Sequence, residues 1–468
     1  MSQNTSDAMS ESLPGPMAPT FDLTIPAAVV ILGAARSGLA AAHFLQARGY
    51  RVSLSDAGQL SHETKVELEA AGLPYEEGGH SEAMLSQARF IIASPGIPVT
   101  ARPFQIAAAH GIPVISEIEL ASHFCSSRIV AITGSNGKST TVSLLEALLE
   151  AAGCKAAAGG NIGTPFISLL EQELELIVLE ISSFQLETTF SLKPEVAILL
   201  NLFENHLDRH HHMQSYFALK ARLFQAQDGQ DHAVLNAASP WCRQLAPELK
   251  GQLHWFGDPP PDGGDQAVTV QNGSILYQGQ PLLGVDDLGL HGSHNLENVL
   301  AALTALAALG IRPEPEVLRS FGGIPHRLES LAILDGRQFI NDSKATNYLA
   351  AQTALNSFTR PIVLIAGGLD KGGDFQPLAA LIGKKVKHTI LLGSSAADFT
   401  QRLSQTGYNQ STVVADMQTA VELAYRLSAP GDIILLSPAT ASYDLYRNFE
   451  ERGDDFRRHV AALISKTE

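Results

Sequence analysis

The sequence predicts an α/β protein of three successive strand–helix units, and three observations predict it. Short apolar runs recur along the chain, each ending in a glycine-bearing or polar loop. Such runs suit strands buried on both faces of a parallel sheet. Helical stretches alternate with them, which places helices on both sides of that sheet. At 468 residues the chain is longer than one hydrophobic core sustains, and a prior of roughly 150 residues per domain suggests about three domains.

Taken in order, AAVVILGA from Ala27 is the first strand. The helix SGLAAAHFLQARGY ends at Gly49, RVSLSD is the next strand, and ARFIIASPGI is a strand running into a Pro-Gly turn. A second unit opens with SRIVAITGSNGKSTTVSLLEALLEAAG, a strand, a glycine loop and a long helix. LELIVLEIS and EVAILLNL add buried strands, and a helix over Leu296–Leu309 closes the unit. A third unit starts near Gly323 with FINDSKATN, PIVLIAGGLDKGG, HTILLGSS and DIILLSPATAS. The expected boundaries are a disordered tail over 1–22 and domains over 23–118, 119–323 and 324–468. DPPPDGG at 258–264 is expected to be a surface loop within the middle domain. Loops at the carboxyl ends of parallel strands are where such sheets bind ligands.

Composition narrows the function. Lys plus Arg number 32 against 48 for Asp plus Glu, a formal charge of −16. So acidic a surface repels nucleic acid and anionic membranes, and any phosphate must be bound in a local pocket with its own cations. Hydrophobic residues at 45% exclude a chain disordered throughout. Cys125, Cys154 and Cys242 are widely spaced, so neither a disulfide framework nor a thiolate zinc site is available. The polar start lacks the apolar stretch of a signal peptide. The least polar run, Val299–Leu309, is too short to span a bilayer. A soluble, cytoplasmic protein is expected.

The most specific local motif is TGSNGKST, Thr133 to Thr140. Its glycines let backbone N–H groups turn toward phosphate oxygens, and the following helix presents its positive end to them. Lys138 is placed to reach the outer phosphates and Ser139 to ligate Mg²⁺. Ile132 stands where the P-loop pattern has its first glycine. The bland alternative is a strand–helix turn without ligand; ATP or GTP binding is the reading adopted. ILGAARSG, Ile31 to Gly38, resembles a dinucleotide fingerprint with Ala35 in place of the middle glycine, and Asp56 ends the next strand. Plain helix–strand packing, a nicotinamide cofactor and a nucleotide held in another way all stay open for this turn. Glu180 ends a buried strand, where a carboxylate is costly unless paired or metal-bound; a structural helix cap is the alternative. His206 is presented by another strand end. The run His210–His212 reads as a solvated loop rather than a zinc site, and Lys220 by default as an exposed helix charge.

Together TGSNGKST, GGNIGTP, VLEISSFQLE, NHLDRH, GSHNLENVLAA, IPHRLE, INDSKATN and SPATASYDLYRNFEERG, in this order, resemble the Mur ligase family of peptidoglycan synthesis from about residue 27 to the end. SSFQLE, INDSKATN and SPATAS are the fragments that point to the member adding D-glutamate to UDP-N-acetylmuramoyl-L-alanine. Departures are the N-terminal tail, Asn205 where an acidic residue is common, and the spacing from the histidines to Lys220.

The resemblance implies three domains: a Rossmann-like UDP-binding domain, a P-loop ATPase domain and a C-terminal Rossmann-like domain. It implies an ATP-dependent ligase that passes through an acyl phosphate. ATP falls to Gly134, Ser135, Asn136, Gly137, Lys138, Ser139 and Thr140, with Asn295, Arg327 and Asp342 on the nucleoside side. Two Mg²⁺ ions, with Mn²⁺ as a substitute, fall to Ser139, Glu180, His206 and Lys220, the lysine carrying CO₂ as a carbamate. The UDP-substrate falls to Gly33, Ser37, Gly38, Asp56, Ser94, Gly96, Asn161, Ser182 and Gln185. D-glutamate falls to Lys344, Thr346, Lys371, Ser442 and Phe449. A monomer with small-molecule substrates, and neither nucleic acid nor membrane as partner, is expected. Three rivals remain at this stage. A folylpolyglutamate-synthetase-like ligase lacks SSFQLE, a dehydrogenase leaves TGSNGKST unexplained, and a non-catalytic nucleotide sensor has no need of Lys138 and Glu180.

Overall fold

The structure, a computed structural model, describes residues 23, 26–260, 266–290, 292–370 and 374–467. The expected tail over 1–22, part of the DPPPDGG loop and Lys371 lie outside the described residues.

The chain divides into two compact units, residues 1–321 and 322–468. The first contains two parallel sheets. One comprises β1 (Ala28–Leu32), β2 (Arg51–Ser55), β3 (Tyr75–Glu76), β4 (Phe90–Ala93) and β5 (Val114–Ile115), in the order β3-β2-β1-β4-β5. Val29 to Leu32 and all of β4 are buried, as doubly covered strands must be. Successive connections run one way from β1 to β3 and then cross to β4, so the topological switch point lies between β1 and β4. The second sheet comprises β6 (Arg128–Thr133), β7 (Ala156–Gly160), β8 (Leu176–Glu180), β9 (Val196–Leu199), β10 (His232–Asn236) and β11 (Gln252–Phe256). Its order is β11-β10-β9-β6-β8-β7. β6 therefore lies between β8 and β9, and the loops after these three strands open at one edge.

One apolar core runs through both sheets. It joins Ile31 and Phe90 of the first to Ala131, Leu179 and Leu199 of the second, by way of Ile118, Leu120 and Phe166. That continuity packs the two sheets into one compact unit. The helix Glu117–Phe124 between the sheets is capped by Ser116, whose side chain accepts from the Glu119 amide. Ser116 Oγ also lies 2.7 Å from Thr189 Oγ1.

A small antiparallel sheet, β12 (Val268–Gln271), β13 (Ser274–Tyr277) and β14 (Gln280–Gly284), follows. Its turns, Asn272-Gly273 and Gln278-Gly279, have positive φ at both residues. This is the geometry that two-residue hairpins favour. Asn272-Gly273 carries the sequence signal of such a hairpin.

The second unit holds β15 (Glu329–Leu334), β16 (Arg337–Asn341), β17 (Ile362–Ala366), β18 (Val386–Leu391), β19 (Ser411–Val413) and β20 (Ile433–Leu436). Its order is β15-β16-β20-β17-β18-β19, with β15 alone antiparallel to its neighbour. Among the described residues no helix is long and apolar enough to cross a membrane.

Candidate functional site

The loops after β6, β8 and β9 build one polar cluster. Gly134 and Gly137 have φ of +158° and +83°, and Gly137 precedes the helix Lys138–Ala151 as its N-cap. A Cβ at Gly137 would lie 2.2 Å from Asn298 Oδ1, so glycine is required there for backbone freedom and for space. Asn298 comes from the helix Ser293–Ala308, and its Nδ2 lies 3.3 Å from Asn295 Oδ1. The Asn136 amide donates to Asn201 Oδ1 at 2.9 Å. Ser135 Oγ accepts from the Phe203 amide at 2.9 Å and lies 3.3 Å from the Tyr216 hydroxyl. The glycine loop is thus held by the loop after β9 and by the helix Met213–Ala221.

Charged groups converge on this loop. Lys138 Nζ donates to the Gly134 and Ser135 carbonyls at 2.9 and 3.0 Å. Ser139 Oγ donates to Glu180 Oε2 at 2.6 Å, and Asn161 Nδ2 donates to Glu180 Oε1 at 2.8 Å. Glu180 is buried, and it does not cap the next helix. Ser182 does that, in a capping box with Gln185. Ser182 and Gln185, expected at the UDP-substrate, are therefore bonded to each other. Lys220 corrects the default reading from the sequence, because it is only 1% exposed. Its Nζ donates to Thr133 Oγ1 at 3.1 Å and to the Gly134 carbonyl at 2.9 Å. Burial, and then the neighbouring charge of Lys138, push its pKa well below the ordinary lysine value, while Glu180 opposes them.

The histidine loop also departs from expectation. His210 is not solvated: it is buried, stacked on Tyr216 at 5.2 Å between ring centroids, and its Nε2 is 3.0 Å from Ser183 Oγ. The short helix Leu207–His210 turns it inward, whereas His211 and His212 are exposed. His206 adopts a left-handed backbone, φ 55°, and its ring lies 4.8 Å from that of Phe184 in SSFQLE. Phe184, Asn201, Tyr216 and Asn298 are contributors the sequence reading did not single out. Tyr216 had a signal, since it stands four residues before Lys220 on one helix face.

The fingerprint-like turn lies at the β1/β4 switch point. A Cβ on Gly38 would sit 2.0 Å from the Gly33 carbonyl oxygen, and one on Gly33, φ +96°, would sit 2.5 Å from Ser94 Oγ. The two glycines thus allow close helix–strand and loop–loop approach. Ala35 is the N-cap of the helix Arg36–Ala47, where its Cβ is accommodated. Asp56 accepts from the Ala34 amide at 2.8 Å, which braces the turn.

In the second unit Asp342 follows β16. It is buried, accepts from Ser437 Oγ at 2.8 Å and from the Leu328 amide at 3.2 Å, and burial raises its carboxyl to about 7. Arg327 and Lys344 are exposed. Lys344 Nζ lies 5.8 Å from the Phe449 ring centroid, and the Phe449 carbonyl accepts from Ser343 Oγ at 2.8 Å. Ser442 is buried, and Thr346 is half-buried.

Oxygen donors from Ser139 and Glu180 suit a hard cation such as Mg²⁺. A buried carboxylate whose hydrogen-bond donors are a hydroxyl and an amide supports that fit. Among the described residues no group of three His, Cys, Asp or Glu is placed to hold a metal, so a site here must draw on the hydroxyl.

Comparison with known proteins divides the chain into three domains. A Mur ligase MurD-like N-terminal domain profile matches residues 27–116, a Mur ligase middle domain profile 132–306, and a Mur ligase glutamate ligase domain profile 326–440. The UDP-N-acetylmuramoylalanine--D-glutamate ligase of Pelotomaculum thermopropionicum is 42% identical over 445 residues, 93% of this chain and 97% of the relative. That of Geobacillus kaustophilus is 40% identical over 442 residues, with the same coverage. A crystal structure of UDP-N-acetylmuramate-alanine ligase from Thermotoga maritima, 17% identical, matches with a TM-score of 0.50 over 94% of this chain and all of that one, a likeness of fold.

Proposed function

The chain belongs to the Mur ligase family of ATP-dependent, amide-forming ligases, and we propose that it joins D-glutamate to UDP-N-acetylmuramoyl-L-alanine. The observation that carries the ligase reading is the meeting of Lys138, Ser139, Glu180 and Lys220 on one glycine loop. The choice of amino acid rests on relatives whose names specify D-glutamate.

A carboxylate is a poor electrophile, so the alanyl carboxylate oxygen first attacks the γ-phosphorus of ATP and ADP leaves. The amine of D-glutamate then attacks the acyl phosphate. Phosphate departs from the tetrahedral intermediate, and the amine gives up a proton. No protein nucleophile is needed, so this chain's contribution is positioning and offsetting of charge. The amides at the start of the helix after Gly137 would meet the phosphates, while those of Ser135 and Asn136 donate to Asn201 and hold the loop. Lys138 exchanges its contacts with the Gly134 and Ser135 carbonyls for phosphate oxygens. Ser139 and Glu180 would hold Mg²⁺, with Mn²⁺ as a substitute, and the cation when bound offsets phosphate charge. Asn161 orients Glu180. Lys220, as a carbamate, would supply a further oxygen ligand, and His206 would stand beside a second ion. The turn at Gly33–Gly38 with Ser94 and Gly96 would take the UDP moiety. Asn295, Arg327 and Asp342 are assigned to ATP, and Lys344, Thr346, Lys371, Ser442 and Phe449 to D-glutamate, on motif alone. The enzyme is read as a cytoplasmic monomer.

The test is phosphate release with ATP, Mg²⁺ and UDP-N-acetylmuramoyl-L-alanine, offering D-glutamate, L-glutamate, L-lysine or D-alanine. D-glutamate should far outperform the rest, because a site that fixes two carboxylates and one amine leaves a charged group unpaired in the mirror image. Equal rates with both glutamate enantiomers would overturn the assignment of substrate while leaving the family in place.

A further inference from the structure

We infer that Arg209 and Glu187 form a positioning pair that fixes the Ser94–Ile97 loop against the His206 loop, setting the UDP-substrate crevice. The inference deepens the functional reading above and rests on it.

Arg209 stands three residues after His206 in the helix Leu207–His210, and Glu187 closes the SSFQLE segment as C-cap of the helix Ser183–Leu186. The side chains are 13% and 7% exposed. Arg209 Nε donates to Glu187 Oε1 at 2.9 Å, and Nη2 donates to Glu187 Oε2, a bidentate pair. The guanidinium then reaches a third segment, remote in sequence. Nη2 donates to the Ile97 carbonyl at 3.0 Å, and Nη1 approaches the Gly96 carbonyl at 3.4 Å. Its Cζ lies 4.5 Å from the centre of the Phe184 ring, the same ring that His206 packs against. One side chain thus links the loop after β4, the segment after β8 and the loop after β9.

Those three segments do not meet by strand pairing, since β4 belongs to a different sheet from β8 and β9. The loop after β4 is held on its other side by the Gly33 turn, which Ser94 approaches so closely that no Cβ fits at Gly33. The Ile97 amide donates to the Ser94 carbonyl, closing the loop on itself. One wall of the β1/β4 crevice is therefore set by a residue of the short helix that follows β9 of the second sheet. No reacting atom needs Arg209; its part is to hold the wall at a constant distance from His206. Lysine cannot reproduce this, because its single ammonium lacks the planar fork that serves a carboxylate and two carbonyls together. Loss of Arg209 leaves the largely buried Glu187 beside His210, whose Nδ1 lies 3.8 Å from Glu187 Oε1, and loss of Glu187 leaves Arg209 with the two carbonyls but no carboxylate.

The experiment uses the full-length enzyme with Arg209→Met, Arg209→Lys, Glu187→Gln and the double variant Arg209→Met/Glu187→Gln. Michaelis constants are measured for each of the three substrates, and binding of UDP-N-acetylmuramoyl-L-alanine without ATP is measured by calorimetry. Arg209→Met should raise both KM and Kd for the UDP-substrate at least tenfold, with KM for ATP and for D-glutamate within threefold of wild type. The double variant should be no worse than Arg209→Met, since the pair acts as one unit. Should Arg209→Met fail to fold, Arg209→Lys decides: a selective rise in KM for the UDP-substrate upholds the pair, and wild-type values overturn it. Equal rises for all three substrates, or a loss confined to kcat, also overturn it. A wild-type enzyme that does not bind the UDP-substrate overturns the functional reading and the pair's role with it. A wild type that binds it, beside variants that bind it equally well, overturns the pair alone.

Discussion

Ser139 Oγ and Glu180 Oε2 lie 2.6 Å apart, joining the first turn of the helix after β6 to the last residue of β8. The two strands are adjacent and parallel, with Ile132 opposite Glu180, so the carboxylate emerges level with the start of the glycine loop. The loop then carries the chain back over the sheet edge and returns Ser139 to that carboxylate. A hydroxyl and a carboxylate from segments 41 residues apart thus become one oxygen-donor set, beside which Lys138 supplies positive charge and Lys220 a buried amine of depressed basicity.

Replacing Lys138 with alanine should remove ligation and spare the fold. The side chain is half-buried at the first residue of the helix Lys138–Ala151 rather than within an apolar core. Loss of one preorganised charge from a phosphoryl-transfer site costs on the order of 10²–10³ in rate. Phosphate release and thermal melting of Lys138→Ala check this together. Near-normal turnover would show that the loop is not the ATP site.

How much of this was legible depended on whether a feature is local. The Gly33–Gly38 turn, the TGSNGKST loop and Glu180 at a strand end each declare themselves within one strand–turn–helix segment, so they were read without knowing the sheet order. Asn298 against Gly137, and Arg209 against Ile97, are meetings of distant segments, and nothing in either segment alone announces its partner. His210, in a histidine run, and Lys220, on its default reading alone, were placed at the surface because such runs and helix lysines are usually solvated. Tyr216 and Phe217 on the same short helix mark a buried face, and Lys220 extends it four residues beyond Tyr216.

Gly137→Ala should lower both stability and ATP affinity. A non-glycine residue in the left-handed region costs about 1–2 kcal/mol, and the new Cβ would lie 2.2 Å from Asn298 Oδ1. Adding Asn298→Ala removes the collision but leaves the backbone strain, so the double variant should recover part of the lost melting temperature. Full recovery would mean that the backbone conformation carries no cost. No loss in the single variant would mean that the loop tolerates the side chain by moving.

Glu117→Gln tests a buried carboxyl outside the proposed site. Burial pushes Glu117 from 4.5 up to about 7, against the opposing Ile167 amide, which donates to its Oε1. The folded-state pKa lies above the unfolded one. The stabilising contribution of the neutral carboxyl is therefore complete below about pH 4.5 and is lost as pH rises to about 7. At 1.36 kcal/mol per unit the loss is at most ~3 kcal/mol. Glutamine does not titrate, so the melting temperature of Glu117→Gln minus that of wild type should grow between pH 5 and pH 7 and level off above. Asp342, also raised to about 7, titrates alike in both proteins and cancels in the difference. A difference independent of pH would show that Glu117 is ionised in the folded protein throughout.

Lys220 separates two chemical states of one side chain. It is 1% exposed, donates to Thr133 and Gly134, and has its basicity depressed by burial and by Lys138. Such a lysine presents the free amine that attacks the carbon of CO₂ and releases a proton, and the resulting carbamate would place an oxygen ligand near the proposed metal donors. Lys220→Ala should then lose nearly all ligase activity, and acetate or formate in the buffer should restore part of it. Such an anion can occupy the vacated space and offer the missing oxygens, which chloride at equal ionic strength cannot do. Stripping CO₂ and bicarbonate from the wild type should lower activity, and adding bicarbonate should return it. If Lys220 acts only as a buried ammonium bonded to the glycine loop, small carboxylates rescue nothing and bicarbonate has no effect. A positively charged replacement, Lys220→Arg, would then keep more activity than Lys220→Ala does with acetate. The two patterns of rescue are mutually exclusive, so one set of assays decides which state of Lys220 supports ligation.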